Sequence, residues 1–125
     1  MFCSVKSGGI TGLEGHVIHV EVDMSNGLPD LSIVGLGDAA VREARQRVRS
    51  AIRNSGLEFP LKKTTVNLAP ANLRKEGSVF DLAMAIGILG ASGQGNTHLL
   101  GDMMFLGELS LDGSLRPVRG VLPIV

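Results

Sequence analysis

The fold of this chain is decided by one continuous stretch of sequence, Asn67-Leu-Ala-Pro-Ala-Asn-Leu-Arg-Lys-Glu-Gly-Ser-Val-Phe-Asp-Leu-Ala-Met-Ala-Ile-Gly-Ile-Leu-Gly90. The stretch begins as the end of a strand, crosses a polar loop and enters a helix that is apolar nearly all round, which is typical of a buried helix. Ser78 precedes Asp81 by three residues, a capping-box spacing that predicts a helix start at Ser78. We therefore expect a polar loop at the N-terminus of a buried helix, where α/β proteins often build functional sites.

Length and composition restrict the class of protein. The 125 residues suffice for one domain, and the 12 basic and 12 acidic residues balance, so any surface for nucleic acid must be local. The single cysteine, Cys3, excludes an internal disulfide and fits a reducing, cytoplasmic compartment. The sequence contains neither an apolar run of membrane-spanning length nor a signal peptide, so no membrane partner is expected. Aromatic residues make up 3%, which argues against a base-stacking platform.

Three strands are predicted before the first helix. A short strand covers residues 2–6 and ends at the following Ser-Gly-Gly. A second strand covers residues 16–24, because apolar and polar side chains alternate along it. Asn26-Gly27 is a strong hairpin signal, so the third strand, residues 31–34, is expected to pair antiparallel with the second.

The next segment predicts a helix with two distinct stripes. Asp38 is expected to cap this helix, which reaches about Asn54 and ends at Gly56. At helical spacing, an apolar face is formed by Val41, Ala44, Val48, Ala51 and Ile52. A basic stripe beside it is formed by Arg42, Arg45, Arg49 and Arg53. Guanidinium groups in one sector can bind phosphates or the carboxylates of a neighbouring subunit. The alternative is an ordinary solvated face, partly neutralised by Glu43.

The remaining elements complete the predicted fold class. Residues 63–69 read as a strand, the buried helix follows, and a last hairpin spans 103–118 around Asp112-Gly113. Together these elements predict an α+β domain, or two-layer α/β domain, with a mixed sheet of about five to seven strands and two main helices.

Two kinds of binding site receive little support from the sequence. Gly35-Leu-Gly-Asp-Ala-Ala40 matches a nucleotide-binding fingerprint, but it places the Asp38 carboxylate where a pyrophosphate would need the helix dipole. The preceding strand is predicted to belong to a hairpin rather than to a parallel βαβ unit, so we interpret the motif as a tight turn with a cap. The chain has no P-loop, which predicts that it binds no ATP itself. His16 and His19 point to opposite faces of a strand and His98 is remote, so no metal site is expected.

A nucleophile is the remaining alternative. Ser78 lies near Lys75 at the expected helix N-terminus, but a serine–lysine pair needs a desolvated lysine within hydrogen-bond reach. Lys75 lies in a polar loop, so capping is the simpler role for Ser78.

Three runs resemble a known family: residues 9–15, residues 27–43 and residues 67–85. They are similar to the N-terminal domain of the ComM/YifB family, bacterial proteins described as magnesium-chelatase-like. The resemblance implies a fold like the proteolytic domain of Lon and the C-terminal domain of RadA. It also implies an AAA+ ATPase module beyond Val125 that holds ATP and Mg, and the apolar end at 121–125 is consistent with such a continuation. Family members are implied to be hexameric, ATP-driven helicases in DNA branch migration during recombination and natural transformation.

Comparison with Lon implies that the peptidase dyad is lost. The run Lys75-Glu-Gly-Ser-Val-Phe-Asp81 matches the nucleophile loop of Lon and places Val79 at the serine position. The run from Gly107 matches the segment that carries the lysine of Lon and places Leu122 at that position. Neither hydrocarbon side chain can act as a nucleophile or a base. The resemblance therefore implies a non-catalytic domain, and the alternative is a degenerate serine peptidase that uses Ser78.

The resemblance also implies partners for the basic residues. Ring assembly with its own ATPase module and with other subunits, and contact with DNA, are the roles expected of such a domain. The contact surface is predicted to comprise Arg42, Arg45, Arg49, Arg53, Arg74 and Lys75. No cofactor is expected within residues 1–125.

Overall fold

In this computed structural model, the residues described are 1–11, 14–70, 78–93 and 104–116. Within them the chain forms six strands and two helices, which follow one another as β1 Phe2–Thr11, β2 Glu14–Ser25, β3 Asp30–Val34, α1 Asp38–Asn54, β4 Lys63–Ala69, α2 Asp81–Ala91, β5 Glu108–Leu109 and β6 Leu115–Arg116. None of the helices in the described residues is long and apolar enough to span a bilayer.

The main sheet has four strands in the order β1-β2-β4-β3. The β1–β2 and β2–β4 pairs are antiparallel, whereas β3 and β4 are parallel. β5 and β6 form a separate antiparallel ribbon. The α+β class with a mixed sheet and two main helices is confirmed. The main sheet has one strand fewer, among the described residues, than the lowest predicted number, because the last hairpin forms its own ribbon.

The expected antiparallel pairing of β3 with β2 is wrong. The turn after β2 does not return the chain alongside that strand, because β4 already occupies its free edge over seven residue pairs, from His19↔Ala69 to Ser25↔Lys63. The chain instead passes the start of β4, where the Asp30 amide donates to the Lys62 carbonyl at 3.3 Å. β3, α1 and β4 consequently form a parallel βαβ unit, which the hairpin prediction had excluded.

The first strand is longer than expected. The sequence Ser-Gly-Gly was predicted to end it after Lys6, yet β1 continues to Thr11, which pairs with Glu14. Ser7 is buried, and its hydroxyl donates to the Phe105 carbonyl at 2.8 Å. The strand continues because this polar side chain is satisfied by a segment nearly one hundred residues later in sequence.

Both helices pack on one face of the main sheet. The alternation in β2 is confirmed, because Ile18, Val20, Val22 and Met24 are all buried. α2 is buried on most of its circumference, as its apolar sequence predicted. α1 buries the narrower face that its periodicity indicated, through Ala44, Val48, Ala51 and Ile52. These residues join Val5, Leu31, Val66, Leu68 and Phe80 in a single core.

A glycine allows α2 to approach the sheet closely. A β-carbon added at Gly87 would lie 2.7 Å from Val22 Cγ2, a distance that real β-carbons do not adopt. Val22 is fully buried and β-branched, so it has little freedom to move away.

We expect Gly87→Ala to destabilise the fold by about 1–2 kcal/mol, because overpacking of about 1–3 kcal/mol outweighs the gain of up to about 1 kcal/mol in helix propensity. Urea unfolding measures this effect. The matched control is the double variant Gly87→Ala with Val22→Ala, which removes the overlapping methyl group and should be more stable than the sum of the single effects implies. Additive effects would contradict the close contact.

The C-terminus of α1 is held by the β5–β6 hairpin. Gly56, with φ 82°, ends the helix as predicted. Asn54 Nδ2 donates to the Leu111 carbonyl at 2.7 Å, and Gly113, with φ 95°, lies against Ser55. The predicted turn at Asp112-Gly113 is confirmed, whereas residues 103, 117 and 118 of that hairpin lie outside the described residues.

The N-terminus of α1 differs from the prediction by one residue. Gly37 is the N-cap and has an extended backbone, with φ −70° and ψ 161°. Asp38 is therefore the first helical residue, and its side chain makes no capping hydrogen bond. Its carboxylate still favours the helix electrostatically, because negative charge in the first turn interacts well with the helix dipole.

Candidate functional site

The N-terminus of α2 is closed by the protein's own backbone. The capping box is wrong: the residues after Ser78 form a turn, and the helix begins at Asp81 without a side-chain cap. The Asp81 amide donates to the Ser78 carbonyl at 3.1 Å, and the Leu82 amide donates to the Gly107 carbonyl at 3.1 Å. These helix N–H groups are satisfied internally, so they do not form the anion site that the sequence suggested.

Asp81 has a structural role that sequence reasoning missed. Its Oδ2 lies 2.6 Å from Arg47 Nε and its Oδ1 lies 3.2 Å from Arg47 Nη2, so the pair is bidentate. Oδ2 also accepts the Leu109 amide at 3.2 Å. The Asp81 side chain is 1% exposed and that of Arg47 is 21% exposed. One carboxylate thus joins α1, α2 and β5.

Burial controls the electrostatics of this pair. Desolvation raises the pKa of the Asp81 carboxyl above its ordinary value, while the Arg47 and Leu109 hydrogen bonds offset part of that effect. The hydrogen bond that Arg47 donates to Asp81 raises the pKa of Arg47. The sequence offered one signal for this pair, an aspartate in an otherwise apolar helix. Because an unpaired charge is rarely buried, such an aspartate indicates a partner elsewhere in the chain.

The positions that match the Lon dyad are only partly described. Val79 is half-buried and packs against the hydrophobic core, and its carbonyl accepts the Gly107 amide at 2.9 Å. Ser78, the alternative nucleophile, is also half-buried. Leu122, Arg74 and Lys75 lie outside the described residues.

The structure brings the four predicted arginines of α1 together on one side of the helix; we call Arg42, Arg45, Arg49 and Arg53 the arginine face. Arg42 and Arg53 are exposed, whereas Arg45 and Arg49 are half-buried. The carboxylate of Glu43, the predicted neutralising partner, lies 3.8 Å from Arg47 instead. Within the described part of the chain, no ion pair involves the arginine face, and the buried Nε of Arg45 has no hydrogen-bond partner there.

A phenylalanine that sequence reasoning missed contacts two arginines of this surface. The guanidinium carbons of Arg49 and Arg53 lie 5.3 Å and 6.0 Å from the centroid of the Phe59 ring. Both distances are within the range of cation–π attraction. Phe59 is half-buried and packs against the core, so the ring contacts both the core and the two arginines.

An open pocket of about 720 Å³ adjoins the arginine face at Arg53. Its walls include the apolar residues Leu57, Phe59, Pro60 and Leu61, and the charged residues Arg53, Glu58 and Lys62 also line it. Lys62 Nζ lies 3.4 Å from the Asn26 side-chain oxygen, a neutral partner. This corner of the molecule therefore combines an apolar wall with two basic residues and one acid.

Other candidate sites receive no support from the described residues. No group of three or more histidine, cysteine, aspartate or glutamate side chains in that part of the chain could hold a metal ion. The nucleotide fingerprint lies in a parallel βαβ unit after all, but Asp38 remains in the first turn of α1, where it disfavours a second anion. The arginine face is therefore the best candidate site.

Comparison with known proteins identifies the family. The sequence pattern of the family described as subunit ChlI of Mg-chelatase matches residues 20–125. The chain is 52% identical over 118 residues to the uncharacterized protein YifB of Escherichia coli, covering 94% of this chain and 23% of that protein. It is 47% identical over 121 residues to the competence protein ComM of Haemophilus influenzae, covering 97% of this chain and 24% of that protein.

A weaker similarity extends to Lon protease of Mycolicibacterium smegmatis, with 28% identity over 120 residues, 90% of this chain and 15% of that protein. The chain spans about a quarter of the length of its ComM and YifB relatives. It belongs to the magnesium-chelatase-like ChlI family that includes ComM and YifB, and it carries a detectable likeness to Lon.

Proposed function

We propose that this chain is a non-catalytic, Lon-like domain of an AAA+ ATPase, and that it contributes to ring assembly and to DNA or partner contact. In this proposal the full-length protein is a cytoplasmic hexamer that drives DNA branch migration during recombination or natural transformation. ATP and Mg act in a separate ATPase module beyond residue 125. The name competence protein, carried by the Haemophilus influenzae relative, supports the link to transformation.

The arginine face is the observation that carries the DNA part of this proposal. Four guanidinium groups share one side of α1, and no ion pair with an acid in the described residues neutralises them. The chain as a whole is electrically balanced, so this local excess is not a by-product of a basic composition. A guanidinium group can donate two parallel hydrogen bonds to phosphate oxygens, and such contacts make DNA binding depend on the salt concentration.

We expect Arg42→Ala combined with Arg53→Ala, in the full-length protein, to weaken DNA binding by about tenfold or more at moderate salt. Both side chains are exposed, so the fold should be unaffected. Loss of two phosphate contacts should also reduce the slope of log Kd against log salt by about 1.5. Fluorescence anisotropy with labelled DNA at several salt concentrations measures both quantities.

The matched control is Lys6→Ala combined with Lys63→Ala, which removes the same charge from the sheet face opposite the helices. Lys6 lies between the buried residues Val5 and Ser7, and Lys63 precedes the buried Thr64, so both side chains leave the sheet on the face away from the core. Equal losses in both double variants, or salt-independent binding, would contradict a specific role for the arginine face. Labelling by a serine-reactive phosphonate that disappears in Ser78→Ala would contradict the non-catalytic assignment.

A further inference from the structure

Phe59 and two arginines form a distinct unit within the arginine face. Arg49 and Arg53 are one helical turn apart, so their side chains leave α1 in the same direction. Their guanidinium carbons converge on one ring, at 5.3 Å and 6.0 Å from its centroid. The ring belongs to the segment after α1 and is fixed by packing against the core. Packing against the core therefore contributes to the position of the ring in addition to its contacts with the arginines.

We propose that Phe59 holds Arg49 and Arg53 as a preformed clamp for the backbone phosphates of a nucleic acid. This inference rests on the proposed DNA contact and assigns it to specific atoms. Phe59 is a positioning residue, because it acts through the two arginines and carries no charge itself.

The physical reason is the conformational freedom of arginine. A free arginine side chain on a helix surface populates many rotamers, and a ligand that selects one of them loses affinity for ordering it. A cation–π contact orders the side chain before the ligand arrives, and the guanidinium keeps its full charge and its N–H donors for that ligand. Because both guanidinium groups contact one ring, they are held close to each other and can contact the same stretch of a ligand.

The ligand class follows from the charges and from the neighbourhood. A phosphodiester offers acceptor oxygens to both guanidiniums and extends along the helix, where Arg45 continues the row. The Nε of Arg45 is buried without a hydrogen-bond partner in the described residues, so its guanidinium is not fully engaged by the fold. Lys62 lines the same pocket as Arg53 and Phe59 and adds a second positive charge there, against the single acid Glu58.

The test compares Phe59→Leu, Phe59→Tyr and the double variant Arg49→Ala with Arg53→Ala in the full-length protein. Leucine keeps the apolar packing but removes the π-face, whereas tyrosine keeps the ring. We expect Phe59→Leu to bind labelled DNA about three- to tenfold more weakly with an unchanged salt slope, since the number of charges is the same. In Phe59→Leu the rate of dissociation from DNA should rise, whereas the association rate should be unchanged because electrostatic steering is retained. Phe59→Tyr should bind like the wild type.

The double arginine variant separates this inference from the proposal on which it rests. Weaker DNA binding with a smaller salt slope in that variant, together with wild-type binding by Phe59→Leu, would overturn the positioning role and leave the DNA contact intact. Wild-type DNA binding by all three variants would overturn both. If they weakened hexamer assembly instead, measured by mass photometry, the ligand of the clamp would be a carboxylate of a neighbouring subunit rather than DNA. Thermal unfolding of each variant establishes that binding is measured on folded protein.

Discussion

Replacement of Arg47 by methionine should destabilise the protein by about 3 kcal/mol at neutral pH, because it leaves the buried carboxylate of Asp81 without its counter-ion. We expect the lower part of the range known for broken buried pairs, since the Arg47 side chain is 21% exposed and water can reach part of the site. Urea unfolding monitored by circular dichroism measures the loss.

The loss of stability in Arg47→Met should depend on pH, and the electrostatics of the Arg47–Asp81 pair determine the direction of this dependence. Burial raises the pKa of Asp81, and Arg47 opposes that rise, so the variant should have a still higher pKa at this position. A folded-state pKa above the unfolded value means that stability is lost as the pH rises through it. The loss in free energy of unfolding caused by Arg47→Met should therefore be largest at a pH well above the raised pKa of Asp81. It should decrease as the pH falls toward the ordinary value of 3.8. A deficit independent of pH would show that Asp81 carries no charge in the fold.

Two further variants make this result specific. Glu43→Gln removes a second acid near Arg47, but Glu43 is 71% exposed and 3.8 Å away, so its loss should cost no more than about 0.5 kcal/mol. Arg47→Met combined with Asp81→Asn removes the orphaned charge and keeps an acceptor for the Leu109 amide. That double variant should recover most of the stability lost in Arg47→Met.

Replacement of Gly113 by alanine should cost about 2–4 kcal/mol, because backbone strain and steric overlap act together. Gly113 has φ 95°, and a β-carbon there would overlap Ser55 Oγ and lie 3.2 Å from the Ala51 carbonyl oxygen. The overlap should detach the β5–β6 ribbon from the end of α1. Urea unfolding gives the cost, and hydrogen exchange locates it at the ribbon.

Gly56 provides the matched control for that prediction. Its φ of 82° is similar, but a β-carbon there would meet nothing within 4 Å. Gly56→Ala should therefore cost only the strain, about 1–2 kcal/mol. Equal costs at both glycines would show that the contact between the hairpin and α1 contributes nothing.

Local patterns predicted the elements of this fold better than their pairing. The strand over residues 63–69 was predicted with its exact bounds, because alternation and burial agree along it. Helix α1, which ends at Asn54, was likewise predicted from its 3.6-residue period. The partner of β3 was mispredicted because Asn26-Gly27 indicates only a local turn. The edge of β2 that β3 would have used is taken by β4, which comes much later in the sequence.

The candidate site shows the same division between local and distant information. The four arginines were visible as a helical stripe, because they share one element. The contribution of Phe59 required knowledge of how the segment after α1 folds back over that helix. Asp81 was interpreted as a cap because the motif is local, but its real partners, Arg47 and Leu109, lie 34 and 28 residues away.

The position of β4 between β2 and β3 has a consequence for how the chain acquires its structure during synthesis. β1 and β2 are neighbours in sequence and can pair as soon as the ribosome has released both. β3 and α1 follow them, yet β3 has only β4 beside it among the described strands, and β4 begins at Lys63. In a nascent chain that has not reached this residue, only the β1–β2 pair of the main sheet can form, because the β2–β4 and β3–β4 pairs both require β4. Cooperative folding must therefore wait for the strand at the centre.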